Sequence, residues 1–359
     1  MPGTFNPQGK KVILSLSGGG MRGLISLALL AELERHSGRP IYEQVDLIAG
    51  TSTGALMAAG FAVGMSAERI LTEIYRDALP RAFGRRGPFF WLRFLLRQGR
   101  HLYSLAPFVR ILTPYVANLR VGDIEAPILL LTTTDARNGN TYYIVSRGPG
   151  RARFANWPLA GAVAASAAAP VFFPPVRGNL IDGGVGVHYN PCFSAAVEAM
   201  EYLGAAEGFE DGNVILIALG SGYTPALYGD GDARRFHLLD WAFYAYQIGF
   251  SQADQQQVST TRRLYGQRLD FRYYNPLFTR ESLQHNLGLS LQGRPDPRQI
   301  GLDSTERAAL DLLEETGRAY ARRIDWRREN IMPWQTRGGQ PERDDALAPI
   351  RWEDSLFSG

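Results

Sequence analysis

Two glycine-flanked turns carry the residue types in this chain best suited to chemistry. Gly50-Thr51-Ser52-Thr53-Gly54 follows the mainly apolar run Val45-Asp46-Leu47-Ile48-Ala49 and leads directly into a helical pattern. This is the layout of a nucleophile elbow, where glycines on both sides permit a strained strand-to-helix turn that lifts a serine hydroxyl out of the strand. Upstream, Gly18-Gly19-Gly20-Met21-Arg22-Gly23 follows the run Val12–Leu16 and also opens a helical pattern. Consecutive small residues at a helix N-terminus present backbone amides to an anion, either a phosphate or the oxyanion of an acyl-transfer intermediate. A serine on an elbow beside an amide cradle predicts a serine hydrolase.

Other readings of the same residues are weaker. Gly18-x-Gly20-x-x-Gly23 matches the dinucleotide fingerprint, which also needs an acid at the end of the second strand to hold the ribose. Glu43 and Asp46 precede the strand Leu47–Ala49 instead of following it. Ser52 as a simple helix N-cap accounts for one serine, but not for the strand before it or the triple glycine upstream. A hydrolytic serine needs a base. Asp182 closes the run Leu180-Ile181-Asp182-Gly183-Gly184, and His188 follows it, which admits the order Ser…Asp…His. Alternatively, a desolvated Asp182 takes the proton directly. Spacing does not choose between the two.

The elements that must position these turns alternate between strand and helix patterns. Leu24–Arg35 reads as a helix broken at Gly38 and Pro40, and Ser66 as the N-cap of a helix over Ala67–Leu79 that stops before Pro80. Pro127–Thr134 reads as a buried strand, joined through the Asn138-Gly139 turn to a strand at Thr141–Val145. Pro158–Ala169 is an alanine-rich helix, and Val214–Leu219 is a strand closed by Gly220-Ser221-Gly222. Ala233–Ile324 is expected to be mostly helical, with Asp303 and Glu306 as a capping box for a helix at Glu306–Arg322. The alternation predicts an α/β fold with a mainly parallel sheet. Arg81–Leu105 interleaves arginines with Phe89, Phe90, Trp91 and Phe94. It suits either a helix burying its aromatics on the domain or a basic amphipathic contact with a lipid surface.

Bulk properties narrow the class. The chain has 359 residues, a net charge of +3 and one cysteine, Cys192, so an intrachain disulfide is excluded and a reducing compartment is expected. Neither a signal-peptide core nor an apolar run long enough to span a bilayer is evident. The expectation is a soluble cytoplasmic protein. The charge balance is too even to indicate nucleic acid, and no metal-ligand cluster or cofactor motif appears.

Four segments, in order over residues 11–195, resemble the patatin-like phospholipases of bacterial type. They are Gly18–Gly23, Gly50–Gly54, Ala167-Ala168-Ala169-Pro170 with Phe172-Phe173-Pro174, and Asp182-Gly183-Gly184 with Asn190-Pro191. The resemblance implies a three-layer α/β fold with a mainly parallel central sheet flanked by helices. It implies a Ser–Asp dyad of Ser52 and Asp182, with His188 a bystander. It also implies an oxyanion hole from the loop Gly18, Gly19, Gly20, Arg22 and Gly23, with Arg22 shaping the loop and Gly50, Gly54, Gly183 and Gly184 supporting the motifs. Many relatives carry Asp where this chain has Ser17, a position that supports the turn. Residues 11–195 then form the catalytic core, 196–326 a C-terminal strand and helical extension packed on it, and 327–359 a polar tail. The implied activity is hydrolysis of acyl esters in phospholipids or other acyl lipids, without metal or cofactor. The arginines and aromatics near Trp91 themselves suit peripheral contact with an anionic bilayer at the inner membrane face. Some bacterial patatin-like effectors of similar length are switched on by cyclic dinucleotides in antiphage defence, so a nucleotide activator is a second expectation. A catalytically silent anion-binding module is the third.

Overall fold

The computed structural model describes residues 6, 8–83, 101–116, 118–225 and 237–326. Trp91 with its basic-aromatic surroundings and the polar tail lie outside them. Lys11–Leu16 (β1) is apolar on both faces, as a strand covered from both sides must be. Val12, Leu14 and Leu16 pack on one side and Ile13 on the other, so the side-chain alternation of β1 feeds two separate cores. The first core takes in Gly23–Ser37 (α1), Thr53–Ala62 (α2) and the helix Arg307–Ala321. The second takes in the helices Cys192–Val197 and Leu238–Tyr265. Helices thus flank a central sheet in three layers.

Among the described residues the sheet has seven strands. β1 runs parallel to Leu47–Gly50 (β2) on one side and, across from it, a strand at Val214–Leu219. Beyond β2 lies Ile128–Asp135 (β3), also parallel, and β3 pairs antiparallel with both Asn140–Val145 (β4) and Leu180–Asp182 (β5). With Val214–Leu219 as β6 and Asp270–Tyr274 as β7, the order is β4-β3-β2-β1-β6-β7. The chain proceeds outward from β1 in both directions, so β1 marks the topological switch point where ligands of such sheets bind. Register does the rest. Leu16 is paired with Gly50 and with Leu219, and Leu219 with Tyr274, so Ser17, Thr51, Gly220 and Asn275 leave the sheet side by side at its carboxyl edge.

Two local expectations are corrected, and the mostly helical region after Ala233 holds a strand besides. Ser66 does cap its helix, accepting from the Arg69 amide at 3.3 Å, but the helix runs on through Pro80 to Phe83. Its middle, Ile70–Ala78, is π-helical, and the Leu79 amide still bonds back to Ile74. Pro80 falls where that wider pattern gives way to an α-helical turn, so its missing N–H interrupts little. The region after Ala233 contains β7, whose Asp-Phe-Arg-Tyr-Tyr sequence has too polar a face to stand out as a strand. The expected capping box is absent: Glu306 makes no side-chain cap, and Asp303 instead accepts from the Tyr103 hydroxyl at 2.6 Å. No helix among the described residues is long and apolar enough to cross a membrane.

Candidate active site

Ser52 sits between β2 and α2 at φ 56° and ψ −125°, a strained conformation for a residue with a side chain. The elbow closes tightly against the neighbouring strand. A Cβ on Gly54 would lie 2.2 Å from the Leu16 carbonyl oxygen, and one on Gly50 2.3 Å from that of Gly54. Ser52 precedes the first residue of α2, yet its hydroxyl makes no capping bond, so the N-cap alternative fails. Its amide donates to Ser166 Oγ at 3.0 Å, and the Thr51 hydroxyl is tied to the His188 carbonyl at 2.6 Å. The backbone is clamped while the Ser52 hydroxyl stays available.

Asp182 ends β5, opposite Thr133 of β3. The residue is 2% exposed, and its carboxyl accepts from the Gly184 amide at 2.8 Å and interacts with the Ser52 hydroxyl. Burial pushes it up to about 6, against the pull of Ser52 and the Gly184 amide. A carboxylate with that affinity for protons is a far better base than one in water. His188 is turned elsewhere. Its Nε2 contacts the Tyr143 hydroxyl and its Nδ1 that of Ser194, each at 3.1 Å, and burial pushes the ring down to about 4.

The glycine loop follows β1. Gly18 donates its amide to the Tyr189 carbonyl at 2.9 Å, Met21 to Leu302 at 2.7 Å and Arg22 to Gly19 at 3.1 Å. Gly23 donates to Gly20. Among the described residues the amides of Gly19 and Gly20 make no hydrogen bond, and both residues line the pocket with Ser52 and Asp182. Thr53 lines it as well, and as the first residue of α2 it offers another unpaired N–H at the positive end of the helix. The Arg22 guanidinium is committed to the 220s loop: Nε donates to the Ser221 carbonyl at 3.3 Å, Nη2 to the Gly222 carbonyl and to Thr224 Oγ1 at 3.0 Å. Above this polar floor the pocket is walled by Phe83, Phe108, Phe172, Phe173, Phe250 and Leu302. It is an apolar slot ending on a hydroxyl, a carboxylate and unpaired amides.

Sequence reasoning missed the groups that hold the loop from behind. Ser17 donates to Asp254 Oδ1 at 3.3 Å, and the Tyr273 hydroxyl donates to Oδ2. Asn275 links that phenol, at 2.7 Å, to the Gly222 amide, at 2.8 Å. Burial pushes Asp254 up to about 6 as well. Asp254 lies in the polar run Ser-Gln-Ala-Asp-Gln-Gln-Gln, where nothing distinguishes it.

Comparison with known proteins gives four findings. The family described as "Patatin-like phospholipase" matches residues 14–196, just over half of the chain. A "cGAMP-activated phospholipase" of Pseudomonas aeruginosa is 33% identical over 181 residues, 48% of this chain and 52% of that protein. A "cGAMP-activated phospholipase" of Vibrio cholerae is 32% identical over 203 residues, 50% of this chain and 55% of that protein. The chain spans about half the length of these curated relatives. Among solved structures, VipD from Legionella pneumophila is similar with a TM-score of 0.40 and 12% identity, over 88% of this chain and 66% of that one.

Proposed function

Because the chain belongs to the patatin-like phospholipase family, we propose that it hydrolyses acyl esters of lipids through a Ser52–Asp182 dyad. The observation that carries this reading is the uncapped Ser52 hydroxyl on a strained elbow beside a buried carboxylate of raised proton affinity, with no cation beside it among the described residues. Asp182 takes the Ser52 proton as the oxygen attacks the ester carbonyl. The tetrahedral oxyanion is held by the Gly19 and Gly20 amides, with the Thr53 amide adding the helix terminus. Gly18, Arg22 and Gly23 shape that cradle through their own bonds. Asp182 returns the proton to the leaving alcohol, and water then repeats the sequence on the acyl-enzyme to free the fatty acid.

The aromatic slot suits a fatty acyl chain, and the substrate class is a phospholipid or other acyl lipid. Residues 11–195 are the catalytic core in this reading, 196–326 an extension that supports it and 327–359 a tail. Contact with the inner membrane face through the arginines and aromatics near Trp91 belongs to the same proposal, as does a cytoplasmic location. The names of the Pseudomonas and Vibrio relatives support a second element, activation by a cyclic dinucleotide.

The test is fatty acid release from phosphatidylcholine and phosphatidylglycerol vesicles, with and without cGAMP. Loss with Ser52→Ala and Asp182→Asn, and retention with His188→Ala, is the expected result. Loss with a folded His188→Ala protein would favour a triad instead. Failure of a fluorophosphonate to label Ser52 under either condition would favour a silent anion-binding module.

A further inference from the structure

Leu302 enters the site from a turn more than a hundred residues beyond the family-matched stretch. Ile300 anchors the turn in the core, and the Gly301 amide closes it by donating to Ser304 Oγ at 2.9 Å. From there Leu302 makes contacts of two kinds. Its carbonyl accepts the Met21 amide at 2.7 Å and lies so near the glycine loop that a Cβ on Gly20 would come within 2.1 Å of the oxygen. Leu302 is also one of the residues that line the pocket, along with its aromatic wall. The next residue, Asp303, accepts from Tyr103 at 2.6 Å. Tyr103 in turn is bound to that wall, its amide donating to the Phe172 carbonyl at 2.8 Å and its ring packing edge-on to Phe83 at 5.3 Å.

We infer that Leu302 sets the acyl-chain selectivity of the pocket, with Tyr103 and Asp303 holding it in place. This rests on the acyl-hydrolase reading of the site. Leu302 is the apolar group fastened to the oxyanion loop itself, so its bulk defines how the first carbons of an acyl chain lie once the carbonyl oxygen is in the cradle. Shortening it opens room along the chain, and enlarging it closes that room. Tyr103 is a positioning residue, acting on the chain only through Asp303 and the turn.

Alkyl fluorophosphonates of short and long chain, applied with and without cGAMP, read the pocket through the rate of Ser52 labelling. p-Nitrophenyl esters of matching lengths read it through kcat/KM. Leu302→Ala should change the long-to-short preference by roughly tenfold toward longer chains, the scale on which apolar pockets discriminate. Leu302→Phe should shift it toward shorter ones. Tyr103→Phe, which keeps the ring and loses the hydroxyl, should move the ratio in the same direction as Leu302→Ala but by less. A purely structural role for Tyr103 would leave the ratio alone. A labelled wild type whose ratio is unmoved by both Leu302 variants overturns the inference while sparing the proposed function. A wild type unreactive under both conditions overturns the acyl-hydrolase reading, and the inference with it.

Discussion

Asp182, inside the family-matched half of the chain, and Asp254, beyond it, are chemically alike. Burial pushes both up to about 6, and among the described residues neither has a cation beside it. They differ in what they face. Asp182 opens onto the pocket and touches the Ser52 hydroxyl. Asp254 is closed in by the Ser17 hydroxyl and the Tyr273 phenol and does not line the pocket. A raised proton affinity therefore identifies a buried carboxylate, and only access to the reacting atoms makes one a base. In this chain Asp254 also supplies, from a distant helix, a carboxylate behind the turn that Ser17 itself lacks.

The sharpest test of that contrast is kinetic. Asp182→Asn should lower kcat by about a thousandfold or more, as loss of the partner in a nucleophile pair does. Asp254→Asn, which leaves base and nucleophile in place, should cost roughly tenfold at most, a small fraction of what loss of a partner acting as a unit removes. Equal losses in folded proteins would break the comparison. The pH dependence distinguishes the two more finely. If Asp182 is the base, kcat/KM should rise about tenfold per unit as pH approaches about 6 and level off above it. Asp254→Asn should keep that rise, so a displaced midpoint would assign the titration to Asp254.

Stability reverses the order of merit. Each carboxyl holds its proton more tightly in the folded state than in the unfolded chain, where it ionises near 3.9. Between that value and about 6 the folded state binds more protons, so its stability falls as pH rises through the window. The loss is on the order of 2–3 kcal/mol per group. Asp182→Asn should thus be more stable than wild type at neutral pH while inactive, and urea unfolding at acid and neutral pH should show a weaker pH dependence. Asp254→Asn should gain less, because an amide serves two hydroxyl donors less well than a carboxylate does. A destabilised Asp182→Asn would mean that the acid is not held at a cost.

The elbow and the glycine loop were legible because their chemistry is local. Ser52 needs small neighbours two residues away on each side, and an amide cradle needs consecutive glycines ahead of a helix, so spacing alone records both. Asp182 was legible for the same reason, as an acid closing a strand before two glycines. Spacing could not decide between Asp182 and His188 as base. Where the His188 ring points is a tertiary matter: it turns to Tyr143 and Ser194, contacts that no local pattern encodes. Asp303 shows the opposite hazard: a plausible local role as a cap gave way to a hydrogen bond with Tyr103, 200 positions away.

By itself the sequence determined the elbow that carries Ser52, the turn that Asp182 opens, the glycine loop and the alternation of elements that makes the sheet mainly parallel. These are set by backbone sterics and short-range periodicity, which act between residues near in the chain. Only the tertiary structure decided which amides remain unpaired, that Asp254 backs Ser17 from 237 positions away, and that Leu302 reaches the glycine loop. Those arrangements follow from the register that sets Leu16, Gly50, Leu219 and Tyr274 in one row, and register is settled by the packing of two whole cores.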